Sequence, residues 1–301
     1  MVHRLSSAYH IFSFAKENKP ALQVNSGDEV EFETMDCFAN QICTDEDTLE
    51  TLDWARVNPA TGPVYVNRAE AGDILKVTVQ AIQIADQGVV ATGKDLGVLG
   101  HLLEGLYAKV VAIRDGQVVF NNKITFPLNP MVGVIGVAPA GEAISCGTPG
   151  AHGGNMDTKL IGEGAVLYLP VFVDGALFAL GDVHAAMGDG EIGVSGVEVA
   201  GKVRVKLELI KGKKINNPII QTAEVTATIA SALTLEEAVK MAVEEMAGIL
   251  QRSTSMPMAE IATLMSAVGN LQVSQVVDPL KTVRFSMANQ ILARSGVVFG
   301  S

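Results

Sequence analysis

Residues 181–191, GDVHAAMGDGE, concentrate side chains that could bind a metal ion. Asp182 and His184 are two residues apart, so on a β-strand both side chains point to the same side. Asp189 and Glu191 repeat this spacing after a glycine turn. An imidazole beside carboxylates is a ligand set for zinc, manganese or iron. A hairpin turn with solvated acids and a hydrogen-bonded histidine fits the same pattern, and the segment alone does not separate the two.

A second segment, residues 147–157 (GTPGAHGGNMD), is too rich in glycine for a regular element. A glycine-rich segment allows its backbone to approach a ligand closely, and this one also carries His152, Asn155 and Asp157. A flexible surface loop is the alternative. The phosphate-binding pattern G-x-x-x-x-G-K-[ST] is missing from the sequence.

Two acids stand next to apolar runs, where a lone carboxylate is costly unless it is paired or ligated. Asp36 ends an alternating strand at ETMDCF, and Glu142 follows MVGVIGVAPAG. A carboxylate in such a place can have a raised pKa and suit general acid–base chemistry. Each acid could equally sit where a strand emerges into water.

The remaining candidates for chemistry are weaker. His101 lies in a short apolar stretch and is predicted to be a hydrogen-bonded core histidine. No G-x-S-x-G elbow supports a serine nucleophile. The three cysteines, Cys37, Cys43 and Cys146, are predicted to be reduced and buried as small hydrophobes, with Cys146 a faint candidate nucleophile.

Residues before about 225 have the pattern of an all-β protein. Residues 29–36, 73–84 and 202–209 alternate between apolar and polar side chains, as half-exposed strands do. Asp-Gly pairs at 115–116 and 174–175 predict two hairpins. Many short strands separated by Gly and Pro indicate a sandwich, jelly-roll or barrel.

The pattern changes in the last quarter of the chain. Thr234 begins a capping box, and apolar residues then recur at helical spacing to about Arg252. A second helix is predicted from Pro257 to Gly269, followed by a strand over 271–277. The predicted organisation is a β-rich catalytic body, 1–225, with a small α/β region, 226–301, packed on it.

Composition narrows the class of protein. The chain has 301 residues, 48% hydrophobic and 18% charged, which is incompatible with disorder. Its formal charge of −11 argues against nucleic-acid binding. The uncharged run 124–141 contains three prolines, which argues against a membrane helix. Without a signal peptide, and with reduced cysteines, a cytoplasmic location is expected, and the mean hydropathy of +0.30 suggests a homodimer or larger homo-oligomer.

The sequence resembles the acetamidase/formamidase family over about residues 22–287. The resemblance is carried, in order along the chain, by GDEVEFETMDCFANQI, NPATGPVYVNRAEAGDILKV, MVGVIGVAP, GAHGGNMD, LYLPVFVDGALFALGDVHAAMGDGE and VVDPLKTVRFSM. The resemblance implies a mainly β fold with a small α/β part, often assembled as a homo-oligomer. It also implies a hydrolase that cleaves short linear amides, such as formamide and acetamide, to a carboxylate and ammonia.

The resemblance also implies a metal near the active site and suggests which residues form it. A divalent metal is expected on Asp36, Asp157, Asp182 and His184, with zinc favoured and calcium the alternative at a second, all-oxygen site involving Asp189 or Glu191. The catalytic residues are expected to be Glu142, as general base and then acid, with Asp36 and His184. Gly153, Gly154 and Asn155 are expected to contact the substrate and its oxyanion.

Two other functions remain open from the sequence. The same fold and metal set could hydrolyse another C–N bond. Alternatively, the chain could be a metal-stabilised β-sandwich that binds a small polar ligand without catalysis. Sugar binding is disfavoured because the chain has one Trp and four Tyr.

Overall fold

The structure is a computed structural model and describes residues 2–44 and 46–297. The strands over these residues are β1 Val2–Leu5, β2 His10–Ile11, β3 Ser13–Phe14, β4 Leu22–Val24, β5 Glu29–Thr34, β6 Ala60–Val66, β7 Ile74–Ile84, β8 Gln87–Gly93, β9 Leu106–Arg114, β10 Gln117–Val119, β11 Thr125–Pro127, β12 Met131–Gly136, β13 Ile144–Ser145, β14 Gly153–Asn155, β15 Val166–Pro170, β16 Phe178–His184, β17 Glu198–Val199, β18 Gly201–Ile210, β19 Ile219–Gln221, β20 Val225–Ala232, β21 Asn270–Gln275 and β22 Lys281–Ala288. The helices are α1 Leu235–Ser253, α2 Met258–Val268 and α3 Asn289–Arg294, and two 3₁₀ turns span Trp54–Arg56 and Gly100–Leu102.

Most of the strands form two large sheets. The first has nine strands in the order β1-β5-β18-β7-β15-β19-β20-β22-β21. The second has eleven, with the path β11-β10-β9-β8-β17-β16-β12-β14 and with β6 joining β16 to β2 and β4. Strands β3 and β13 form a small separate pair. This mainly β architecture with a few helices confirms the fold class predicted from the sequence.

The two sheets enclose a core built mainly from aliphatic side chains. Val77 and Val205 of the first sheet belong to the same buried cluster as Ile135 of the second. Phe32 of β5 meets Phe178 of β16 edge to face, with ring centroids 5.7 Å apart. The alternation seen in the sequence therefore directs one face of each strand into the space between the sheets.

The C-terminal helices cover one end of the first sheet. Thr234 caps α1, its hydroxyl accepting the Glu237 N–H, and the apolar stripe of α1 packs on β20 and β22. Helix α2 runs between Pro257 and Gly269, as predicted. The first sheet continues through β19 and β20 across residue 225, so body and C-terminal region share a sheet. The division at 225 is not tested further and stays a prediction.

One predicted hairpin forms and the other does not. At Asp115 and Gly116 both residues have positive φ, and β9 pairs with β10 as expected. The strands flanking Asp174 and Gly175, β15 and β16, instead lie in different sheets. Positive φ continues through Ala176 and Leu177, which redirects the chain from one layer to the other. Over the described ranges, no helix combines the length and apolar character needed to span a membrane.

Candidate metal centre

Acidic side chains and one histidine converge where several strands of the second sheet meet loops from both sheets. Strand β16 contributes Asp182 and His184, and its neighbour β17 contributes Glu198. Asp157 follows β14 by two residues, and Asp36 follows β5 by two. All five side chains are at least 90% buried, although four of them are carboxylates.

His184 lies at the centre of this cluster. Its Nε2 lies 3.1 Å from Glu198 Oε2, 3.3 Å from Asp182 Oδ1 and 3.7 Å from Asp157 Oδ1. Only the Asp182 contact has hydrogen-bond geometry. His184 Nδ1, Asp157 Oδ1 and Glu198 Oε2 are buried without a hydrogen-bond partner among the described residues.

The backbone is strained where it presents several of these carboxylates. Asp157, Asp182 and Glu191 have φ values of 42°, 52° and 46°. Non-glycine residues rarely adopt such values, and strain of this kind concentrates at functional sites. Gly133 of β12 lies opposite Asp182 and leaves room for the side chains: a Cβ there would lie 2.3 Å from Asp157 Oδ1.

The electrostatics of the cluster are dominated by burial of negative charge. Burial, together with the charge of Asp182, raises the pKa of Asp157 to about 7 and that of Glu198 to about 8. Burial also raises the pKa of Asp36 to about 6. Asp182 differs: burial opposes its ionisation, but His184 holds its pKa below the usual range. One imidazolium cannot neutralise so many carboxylates, so the cluster must bind either protons or a cation.

Two sets of three residues bring ligand atoms within 4.8 Å of one another. One set is Asp157, His184 and Glu191, and the other is Cys37, Asp182 and Glu198. Imidazole and carboxylate in the first set, and thiolate and carboxylate in the second, are ligand types that bind a divalent transition metal such as zinc. The unpartnered Asp157 Oδ1 and Glu198 Oε2 fit this interpretation, because a metal would satisfy atoms that no protein donor reaches.

The residues that were predicted to form the site fall into two groups. Asp36, Asp157, Asp182 and His184 are brought together, with Asp36 close enough for the charge of Asp182 to raise its pKa. Glu142 is not brought to this cluster: its side chain is exposed in the loop between β12 and β13. The apolar run before it forms the buried strand β12, and the chain then reaches the surface.

The predicted oxyanion residues lie beside the cluster, but part of their hydrogen-bonding capacity is already used. The Gly153 N–H donates to the Gly150 carbonyl at 3.1 Å. Asn155 Nδ2 donates to Asp278 Oδ2 at 3.0 Å, whereas Asn155 Oδ1 is buried without a partner among the described residues. Gly154 has a φ of 77°, and a Cβ there would lie 2.3 Å from the Thr148 carbonyl oxygen.

Other residues singled out in the sequence lie away from the centre. His101 is exposed, so the prediction of a core histidine is wrong: the 3₁₀ turn Gly100–Leu102 lies at the surface. Cys146 is buried in an apolar cluster, and burial raises the pKa of its thiol. Asp189 forms ion pairs with Arg284 and Lys159, which leaves it unsuited to a calcium site.

Three residues of the centre were not predicted from the sequence. Glu198 stands between Val197 and Val199, and the criterion that singled out Asp36, an acid beside apolar residues, would have found it. Cys37 was interpreted only as a small hydrophobe. Asp278 lies directly after the predicted strand 271–277 and was given no role, but its carboxylate accepts a hydrogen bond from the Asn155 amide, and burial and Asp157 raise its pKa well above the usual value.

Fold and site together define a mainly β protein with a buried carboxylate–histidine centre able to hold a divalent metal. The profile of the Acetamidase/Formamidase family matches residues 13–146 and 140–277. The chain belongs to this family.

Solved structures and a curated relative that resemble this chain agree with the family assignment. A predicted acetamidase/formamidase from Thermoanaerobacter tengcongensis is 62% identical, with a TM-score of 0.98 over 99% of both chains. An acetamidase from Bacillus halodurans is 48% identical, with a TM-score of 0.96 over 98% of this chain and 100% of its own. A Schizosaccharomyces pombe protein provisionally assigned as a formamidase is 26% identical over 256 residues, 64% of this chain. The match spans 62% of that relative's length.

Proposed function

We propose that this protein hydrolyses short linear amides, such as formamide and acetamide, to a carboxylate and ammonia. Family membership supports amide hydrolysis as the reaction class. The single observation that carries a mechanism is the buried cluster around His184, where carboxylates outnumber the cations available to them.

The proposal assigns a divalent metal to this cluster, with zinc favoured by the mixture of donors. Asp157, His184 and Glu191 would hold it, and Cys37, Asp182 and Glu198 offer a second set of ligands. Such an ion, when bound, polarises an amide carbonyl and lowers the pKa of water. Asp36 lies beside Asp182, and the Asn40 N–H donates a hydrogen bond to its carboxylate. This bond would hold Asp36 in place, and Asp36 would in turn orient its neighbours in the cluster.

Proton transfer is the other task of the chain's own residues. The nucleophilic water must lose a proton, and the leaving nitrogen must gain one to depart as ammonia. Glu142 was assigned this role from the sequence, and its exposed position favours a different carboxylate. Glu191 offers one carboxylate oxygen to the metal set and also reaches the wall of a cavity, so its second oxygen can accept and return a proton close to a bound amide.

Ammonia release from formamide and acetamide tests the proposal. Activity should disappear on chelation, return with one added ion, and correlate with metal content of the same sample. Glu191→Gln should abolish turnover, and Glu142→Gln, the matched surface change, should retain it. Loss of turnover in Glu142→Gln alone would restore the assignment made from the sequence. The absence of ammonia from any short amide would contradict the proposed function.

A further inference from the structure

A cavity of about 540 Å³ adjoins the candidate metal centre. Glu191 forms part of its wall and is the one member of the cluster that does so. Gly196 forms another part and separates the cavity from His184, since a Cβ at this glycine would lie 2.6 Å from His184 Nδ1. The cavity is therefore divided from the buried imidazole by a residue without a side chain.

The rest of the wall is largely apolar. Its hydrophobic side chains include Val90, Phe126, Ala186, Met187, Ile192 and Val197. Ser195 also lines it, but its hydroxyl already bonds to the backbone of Ala91 and Gly196. These surroundings favour hydrocarbon and offer few new polar contacts.

Charge in the wall is confined to two acids. Asp189 is neutralised by Arg284 and Lys159, which leaves Glu191 as the acid beside the metal centre. No Lys or Arg is among the described residues that line the cavity. A ligand carrying a carboxylate would therefore lie beside two acids, with no lysine or arginine among the described residues that line the cavity, which is unfavourable.

We propose that this cavity is the acyl-binding site and that the protein accepts uncharged primary amides with apolar acyl chains several carbons long. Formamide and acetamide would occupy only a small part of about 540 Å³. The inference rests on the proposed function and extends it to a substrate class. The amide group would lie at the Glu191 end, and the hydrocarbon would lie along Val90 and Met187.

A series of amides tests this directly. The value of kcat/KM for ammonia release should rise from acetamide through butyramide to hexanamide, by about fourfold per buried methylene. Adipamate, which has the same carbon number as hexanamide but a carboxylate in place of the terminal methyl group, should be at least tenfold poorer than hexanamide. Equal or falling kcat/KM along the uncharged series would overturn the inference.

Variants locate the effect in the cavity. Val90→Trp should lower the ratio of hexanamide to formamide turnover at least tenfold, because the indole fills space that the acyl chain needs. Ile192→Trp, at a half-exposed position of the wall, tests the same point if Val90→Trp does not fold. Ala223→Trp is the matched control, because it adds the same ring to a different cavity and should keep the wild-type ratio.

The outcomes separate two failures. If formamide releases ammonia and the ratio is unchanged in both cavity variants, the acyl site is wrong and the proposed function stands. If no amide releases ammonia from metal-replete protein, the proposed function itself fails, and the acyl site fails with it.

Discussion

Gly133 shows how one residue without a side chain can make room for a charged centre. It lies in a fully buried strand, opposite the strand that carries Asp182 and His184. The carboxylates of Asp157 and Asp182 occupy the space where a Cβ would project, at 2.3 and 2.5 Å. The backbone at both acids already has positive φ, so neither can retreat without further strain.

Gly133→Ala should therefore weaken metal binding by about 10- to 100-fold, the range seen when groups around metal ligands are changed. The measurement is metal affinity by titration of chelated protein. Gly141→Ala is the matched control, because a Cβ there meets nothing within 4 Å. Equal affinities in the two variants would show that Asp157 and Asp182 do not act as ligands.

His152 makes a separate contribution to the pH dependence of stability. It is buried against Phe14, edge to face with ring centroids 5.3 Å apart, and burial lowers its pKa to about 4. Its Nε2 has no hydrogen-bond partner among the described residues, so nothing there compensates a charge on the ring.

The unfolded chain binds a proton on this imidazole more readily than the folded protein does. The free energy of unfolding should thus fall as pH decreases from about 6.5 through about 4, by about 3 kcal/mol from this group. His152→Gln should remove that component. Denaturant unfolding at pH 7 and pH 4 measures it, and an unchanged difference between the two pH values in the variant would exclude His152 as its source.

At the scale of elements, the turn that carries Glu191 is fixed by the C-terminal hairpin. Gly190 exchanges backbone hydrogen bonds with the end of β21, donating to Ser274 and accepting from Val276. Arg284 of β22 is fully buried and donates two hydrogen bonds to Asp189, at 2.8 and 2.9 Å. The C-terminal region therefore positions a candidate metal ligand in the β-rich body.

Arg284→Met should lower the free energy of unfolding by about 3 kcal/mol, because it removes a buried partner of a carboxylate. It should also weaken metal binding by loosening the turn before Glu191. Arg284→Lys should recover part of the metal affinity, since it keeps the charge but not the paired geometry. Arg4→Met is the control: Arg4 is exposed, and Glu31 keeps its ion pair with Arg204, so the loss should cost under about 1 kcal/mol. Metal affinity unchanged in Arg284→Met would contradict a positioning role.

Local patterns predicted elements well and long-range placement poorly. The capping box at Thr234 and the Pro257–Gly269 limits fixed two helices, because caps act within a few residues. The Asp174-Gly175 pair looks like a hairpin turn locally, yet its flanking strands enter different sheets. Turn residues specify a reversal of the chain but not the layer in which the next strand pairs.

The candidate site also shows that local sequence patterns are easier to predict than long-range contacts. The spacing of Asp182 and His184 identified the strand at its centre. Asp36 was singled out as an acid beside an apolar run and Asp157 as part of a glycine-rich segment, and the family resemblance then suggested both as metal ligands. Neither the local patterns nor the resemblance could indicate that Cys37 and Glu198 approach Asp182 from other parts of the chain. For Glu142, the apolar run before it forms the buried strand β12, but burial of the strand does not extend to the acid that follows.

At the scale of the whole molecule, one group of exposed apolar side chains lies on the connection between β8 and β9 and at the start of β9. Val98, Leu99 and Leu102 are among the exposed large hydrophobic side chains, and Tyr107 follows on β9. The Val98 N–H donates to the Ile192 carbonyl at 2.8 Å, so this segment adjoins the wall of the acyl cavity. A surface of this kind commonly marks contact with another protein.

We expect the protein to be a homodimer or larger homo-oligomer that buries this segment. Leu102 is 68% exposed, and Leu102→Asp would place a charge in such a contact, where an unpaired carboxylate is costly. The average mass in solution, measured by light scattering, should then shift toward that of the monomer. The dissociation constant of the oligomer, obtained from the concentration dependence of that mass, should rise at least tenfold. Leu233→Asp is the matched control, since Leu233 is 73% exposed and lies before α1, outside the segment. A monomeric wild-type protein would contradict the expectation, and equal dissociation in both variants would place the contact elsewhere on the surface.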